Sequence, residues 1–175
     1  MKTNKLRQMV FAALIAAIYA ALTLMLAPIS FGNIQIRISE AMVLLPVLFA
    51  PSVAGVTLGC FLANLLGAMM GLNLLGYLDC IIGTAATFLA AVLTQKYADV
   101  RFRDIPWLSV LMPVIFNGVL IGFELAYALM PEQWMTGFII FGLEVALGEL
   151  VAVGLFGIPL VRAFEKAKIK ERFGL

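Results

Sequence analysis

Five carboxylates fall within or at the edge of long apolar stretches: Glu40, Asp79, Glu124, Glu144 and Glu149. A charge at the middle of a membrane helix costs about 2.5–3.5 kcal/mol on insertion scales, so it normally faces a cavity or a partner. One basic residue, Arg37, accompanies them. Amides at Gln35, Asn64, Asn73 and Asn117 and the phenol of Tyr77 lie in the same stretches or at their ends, and Phe31, Phe123, Tyr127 and Trp134 can supply flat walls. Several carboxylates with one guanidinium suit a small polar ligand with more donors than acceptors, a cation included. Apolar walls with a few convergent polar groups are the usual form of a small-molecule site.

Each of these residues also has a plainer reading. Arg37 and Glu40, three apart, can form a local pair at a helix start. Asp79 can serve the backbone start of its own helix, and Asn64 and Asn73 can cap or bridge helices. Glu149 reads as a structural hydrogen-bonding acid or a protonated one, since burial raises a carboxylate's pKa. Glu124 and Glu144 are the stronger functional acids. Histidine is absent, which removes imidazole ligands and histidine-based triads. No metal-ligand spacing and no GxxxxGK[ST] phosphate loop occur, so no ATP site is expected in this chain.

The elements that must position these groups are membrane helices. The chain has 175 residues, 63% of them hydrophobic and 13% charged, far from the roughly 25% charge of a soluble domain. A helical span needs about 20 apolar residues. Six segments are expected, at about 6–27, 39–50, 52–70, 74–95, 106–129 and 135–162. The second is short, bounded by Pro46 and Pro51, and the split between it and the third is the weakest. Pro113 and Pro159 fall inside helices they can kink. Phe11–Leu26 lacks a small-residue cleavage site and is expected to remain as a helix. Cys60 and Cys80 lie in apolar stretches and read as inert small hydrophobes.

Eleven of the twelve basic residues lie in three patches: Lys2 to Arg7, Lys96 to Arg103 and Arg162 to Arg172. Lys and Arg accumulate on the cytoplasmic side. The expected fold is therefore an all-α membrane protein, one compact domain over residues 1–175, with six transmembrane helices and both termini cytoplasmic. Pro28–Ile38, Gly67–Asn73 and Met130–Trp134 become the outer connections. At 1.5 Å per residue, Asp79 and Glu124 lie about 8 Å below the outer surface and Glu144 about 15 Å. The basic C-terminal stretch reads as a helix end near anionic headgroups, or as a docking surface for a cytoplasmic partner.

The first helix carries two alanine trios at a spacing of four, Ala12, Ala16 and Ala20 beside Ala13, Ala17 and Ala21. Spacing of four aligns each trio along a helix side, and small residues let membrane helices approach closely. Packing within the bundle and an external partner are both open on this evidence. Gly55 with Gly59 and Gly67 with Gly71 read as packing pairs.

The runs Ile34–Phe49 (IQIRISEAMVLLPVLF), Gly55–Leu65 (GVTLGCFLANL) and Leu78–Thr87 (LDCIIGTAAT) resemble the QueT-type family. The resemblance covers about residues 5–165 and is specific at Gln35–Pro46 and Asp79–Thr87. These proteins look like substrate-binding S-components of energy-coupling factor (ECF) transporters, assigned to queuosine precursors. The resemblance implies a six-helix bundle in the bacterial plasma membrane that captures a vitamin-like ligand from outside. The bundle then topples against a transmembrane coupling subunit driven by two cytoplasmic ATPases, which use the ATP. It also implies that Ala12, Ala13, Ala16, Ala17 and Ala20 form the docking face.

The implied ligand is a 7-deazaguanine: the 7-aminomethyl compound, the 7-cyano compound or queuine. Its N1–H and N2–H donors suit a carboxylate, its O6 a donor, and an aminomethyl cation a second acid; charge-assisted bonds of this kind are the strong ones. Substrate binding is expected from Gln35, Arg37, Glu40, Asn64, Tyr77, Asp79, Asn117, Glu124 and Glu144. Within this set, Glu144 or Glu124 faces the guanine-like edge, Asp79 the amine or the edge, and Arg37, Gln35 or Asn117 the O6. An S-component for another nutrient, or an ATPase-independent transporter, is the alternative. An intramembrane enzyme built on paired acids lacks any nucleophile–base pattern, and a purely structural protein leaves the buried acids unexplained.

Overall fold

A computed structural model describes residues 2–32 and 36–173. The described chain is all-helical: α1 (Lys2–Met25), α2 (Ala27–Ser30), a 3₁₀ helix (Ile38–Val47), α3 (Ser52–Met69), α4 (Leu78–Lys96), α5 (Trp107–Leu129), α6 (Trp134–Val151), a π-helical segment (Ala152–Gly157), α7 (Ile158–Lys166) and α8 (Ile169–Phe173). Five helical stretches are long and apolar enough to cross a membrane, the last running continuously through Pro131–Lys166.

The second expected span differs from a full helix. Ile38–Val47 is a 3₁₀ helix of ten residues, and at 2.0 Å per residue it extends about 20 Å, short of the roughly 30 Å hydrocarbon core. It is not a surface element. Ser39 to Pro46 are all buried, and the segment packs against α1, α3, α4, α5, α7 and the π segment. A segment enclosed by six other elements is shielded along its length. It can therefore be shorter than a lipid-facing span.

Helix directions follow from the close contacts. A Cβ built on Gly55 would lie 2.8 Å from the Ala12 carbonyl oxygen, and one on Gly59 would lie 2.7 Å from Tyr19 Cβ. Positions 12 and 19 therefore meet 55 and 59 in the same order, so α1 and α3 run parallel. The chain between them must return along the bundle, and the 3₁₀ helix does so. Asn64 meets Asp79, Thr94 meets Ser109 and Asn117 meets Glu149, so α3, α4, α5 and α6 alternate in direction. Glycines permit the closest pair. A Cβ on Gly122 would sit 2.5 Å from Gly142 Cα, so α5 and α6 approach almost backbone to backbone, as small residues allow in membranes.

The N-terminal end of α1, the α4–α5 connection and α7 share one end of the bundle. Phe49 packs edge-to-face with Phe11 at 4.9 Å and with Phe164 at 6.1 Å, and Arg101 pairs with Glu165 at 2.8 Å. At the other end, Phe31 reaches the end of α3, where a Cβ on Gly67 would lie 2.7 Å from its ring. Turns there use Gly71 and Gly76, whose φ angles of 69° and 61° lie in the left-handed region that favours glycine. These turns start α4 at Leu78 rather than at 74.

The two prolines act differently. Pro113 is buried within α5. Pro159 lies in the first turn of α7, directly after the π segment. A proline ring clashes with the carbonyl four residues back, here that of Leu155, and the wider π turn gives that carbonyl room.

Candidate functional site

The buried polar groups begin at the end opposite the basic patches. Arg37 precedes the 3₁₀ helix and is 5% exposed; Asp79, in the first turn of α4, is fully buried. They meet through Arg37 Nη2 and Asp79 Oδ2 at 2.6 Å. Arg37 Nε also donates to the Ser30 carbonyl at 3.1 Å, and the guanidinium lies over the Phe31 ring at 5.2 Å. Burial alone would lower the Arg37 pKa, but the neighbouring Asp79 carboxylate, together with smaller contributions from Cys60, Tyr19 and Glu40, outweighs this and holds the guanidinium above its ordinary value. The pair is therefore Arg37 with Asp79, not the local Arg37–Glu40 pair open on the sequence.

Asp79 is held from two more sides. Asn73 Nδ2 donates to its Oδ2 at 2.9 Å, and Asn64 Nδ2 donates to its backbone carbonyl at 2.8 Å. Asn73 itself is fixed by the Leu75 amide, which donates to its Oδ1 at 3.0 Å. Gly83 makes room for this arrangement, since a Cβ there would fall 2.0 Å from Asp79 Oδ1. Asn64 and Asn73 thus bridge elements, as their plainer reading allowed.

Deeper, Glu40 is buried in the first turn of the 3₁₀ helix. Tyr19 from α1 donates to Glu40 Oε1, and Thr87 from α4 approaches the same oxygen at 3.4 Å. Thr87 also donates to Cys60 Sγ at 3.3 Å, and Asn64 reaches that sulfur at 3.5 Å. Asn64 and Cys60 therefore join the Asp79 group to the Glu40 group. Both cysteines are free and buried, and Cys60 is an acceptor within this network rather than only an inert hydrophobe. Further along the bundle, Asn117 donates to Glu149 Oε1 at 2.8 Å.

Glu124 differs from the other acids. It is 2% exposed, and neither carboxylate oxygen has a partner among the described residues. It lies one position from Leu125, which packs with Leu75 and Ile82, so it sits at the level of the Arg37–Asp79 pair and feels both of their charges. Glu40 Oε2, Asn64 Oδ1, Asp79 Oδ1 and Glu149 Oε2 are also buried without partners. The amide nitrogens of Asn64, Asn73 and Asn117 are meanwhile engaged with the protein. The interior thus presents surplus acceptors.

The structure brings together most, but not all, of the expected set. Arg37, Glu40, Asn64, Asp79, Asn117 and Glu124 are buried in this polar layer. Tyr77 is 63% exposed at the head of α4, because its backbone forms the turn before the helix and its ring points away from the core. Glu144 is only partly buried and has no hydrogen bond or ion pair in the described network, so the two favoured acids separate into a buried one and a peripheral one. Gln35 lies outside the described residues. Sequence reasoning passed over Tyr19 and Thr87 and discounted Glu149. One signal was available: Asp79, Gly83 and Thr87 recur every four residues, which aligns them on one helix face.

The alanine strip also divides. Ala16 and Ala20 are 2% and 7% exposed and face α3, where a Cβ on Gly59 would lie 3.0 Å from the Ala16 carbonyl oxygen. This side, with the half-buried Ala12, packs within the bundle, which corrects the expectation that it is available to a partner. Ala13, Ala17 and Ala21 face outward.

A family model described as QueT transporter matches residues 9–166. No curated protein matches the chain, and no solved structure does.

Proposed function

We propose that this chain, which belongs to the QueT transporter family, is the substrate-capturing membrane subunit of an ECF-type importer and binds a 7-deazaguanine queuosine precursor. The membership makes it a multi-pass membrane transporter component rather than an enzyme. The observation that carries the finer reading is the buried layer of acids around one guanidinium, with acceptor oxygens left over. Burying charge without compensation costs several kcal/mol per ion, which a donor-rich ligand offsets. The guanine-like edge supplies paired N–H donors, and the N–H groups of Arg37, Asn73 and Asn117 not used in bonds to the protein can donate to its O6. Arg37, Glu40, Asn64, Asp79, Asn117 and Glu124, with Glu149 added, are the ligand-side residues of this reading; Tyr77 and Glu144 border it.

In this reading the bundle crosses the membrane six times, with the enclosed 3₁₀ helix as the second crossing. The parallel pairing of α1 and α3 supports this count. All three basic patches then fall at one end, supported by the Phe11–Phe49–Phe164 contacts and the Arg101–Glu165 pair. That end is cytoplasmic by the distribution of Lys and Arg, and the Arg37–Asp79 end faces outward. The membrane is the plasma membrane of a bacterium. Delivery is by toppling against a transmembrane coupling subunit, powered by two ATPase subunits that supply the ATP site this chain lacks. The outward Ala13, Ala17 and Ala21 face of α1, flanked by exposed Leu14 and Ile18, is the docking side.

Native mass spectrometry of the detergent-purified subunit, offered a mixture of vitamins and 7-deazaguanines, tests the substrate. Retention of a 7-deazaguanine is expected. Retention of a different nutrient would keep the architecture and replace the ligand.

A further inference from the structure

We infer that Glu124 is the counter-ion for a cationic substituent on the ligand, and hence the residue that selects an aminomethyl 7-deazaguanine over its cyano counterpart. This inference rests on the 7-deazaguanine reading above and adds the division of labour within the site. It starts from the charge balance. Arg37 is the sole basic residue between Arg7 and Lys96, and none lies between Arg103 and Arg162. Its guanidinium is matched to Asp79 at 2.6 Å, with both groups buried. Asp79 Oδ2 receives a second bond from Asn73. The acid that the sequence offers for a ligand amine is therefore already neutralised by the protein.

Glu124 has no such match. Both of its oxygens are buried and unpartnered among the described residues. Its nearest charges include a like-charged carboxylate, Asp79, and a guanidinium already engaged elsewhere. Neutral N–H donors could bond to its oxygens but would leave its charge uncompensated in a low-dielectric interior. A primary ammonium supplies three donors and a positive charge together, and a charge-assisted bond is about twice as strong as a neutral one. A nitrile brings neither: it is uncharged and only accepts, which sets it against a surface of acceptors and disfavours it. Glu40 and Glu149 are weaker candidates because each already receives a hydrogen bond through Oε1.

The test is calorimetric titration of the detergent-purified full chain with 7-aminomethyl-7-deazaguanine, 7-cyano-7-deazaguanine and unsubstituted 7-deazaguanine. The wild type is expected to bind the aminomethyl compound at least about tenfold more tightly than either neutral one. Glu124→Gln is expected to weaken the aminomethyl compound by about 10–100-fold and to change the neutral ones by less than about threefold. Glu124→Asp, which keeps the charge, is expected to retain the preference. Equal wild-type binding of charged and neutral compounds overturns the inference and leaves the 7-deazaguanine reading standing. So does an equal loss of all three in a Glu124→Gln protein that melts at the wild-type temperature. Failure of the folded wild type to bind any of the three overturns the reading itself. Should Glu124→Gln not fold, the wild-type preference and the Glu124→Asp result decide.

Discussion

Arg37 and Asp79 are 42 positions apart in the chain and meet at 2.6 Å with almost no exposure. The contact ties the connection before the 3₁₀ helix to the first turn of α4. It also neutralises the one guanidinium that the sequence places at the end of the bundle opposite the basic patches.

Removing either partner leaves the other as an unpaired buried charge, which costs about 3–5 kcal/mol. Arg37→Ala and Asp79→Ala are each expected to lower thermal stability in detergent by an amount of that order. Arg37→Met combined with Asp79→Leu is expected to recover much of the loss, since apolar replacement of both ions is often neutral. Loss of ligand binding is expected in all three. Unchanged melting of the single variants would show that the pair does not persist in the folded protein.

Gly83 tests the site without touching a charge. A Cβ there would sit 2.0 Å from Asp79 Oδ1 and 2.8 Å from Asn64 Nδ2, so Gly83→Ala must move the carboxylate. A cost of about 1–3 kcal/mol is expected from such overpacking, with a loss of ligand affinity seen by titration. Wild-type affinity in this variant would place the ligand away from Asp79.

Tyr19→Phe removes the hydroxyl that donates to Glu40 and leaves Thr87 at 3.4 Å as its remaining contact. Stranding a buried acceptor costs about 1–3 kcal/mol. A melting shift of that size, with retained helical circular dichroism, is the expected outcome. No shift would mean that the Tyr19–Glu40 bond contributes nothing net.

Variants on the two sides of α1 test packing and the proposed docking separately. Ala16→Trp faces α3 and is expected to destabilise the bundle, whereas Ala17→Trp faces outward and is expected to leave melting and ligand binding intact. Copurification with the coupling subunit is expected to fail for Ala17→Trp. A normal complex carrying Ala17→Trp would move the docking face elsewhere.

Much of this was legible in the sequence, and the gaps have physical causes. Long apolar runs fix spans because the bilayer sets their length, so α1, α4, α5 and α6 stood out, whereas the boundary before α3 did not. The 3₁₀ helix did not, because its length is set by the neighbours that enclose it. The acids were legible as anomalies of burial, but their partners were not. Arg37 finds Asp79 rather than Glu40 through tertiary packing, which a spacing of three cannot reveal. Tyr19 looked like one more apolar position in an alanine-rich helix, and its contact with Gly59 and its bond to Glu40 show that its side faces inward. Glu124 and Glu144, at expected depths of about 8 Å and about 15 Å, were both read as functional acids. They differ in helix face, and α6, apolar on nearly every side, gives little sequence signal of which face turns inward.

Calorimetric titration of the wild-type subunit, purified without partners, with 7-aminomethyl-7-deazaguanine measures the central claim most directly. Saturable one-to-one binding in the nanomolar to micromolar range is expected, abolished by Asp79→Ala. The contradicting result is a folded, monodisperse protein that gives no binding heat with this or any other 7-deazaguanine.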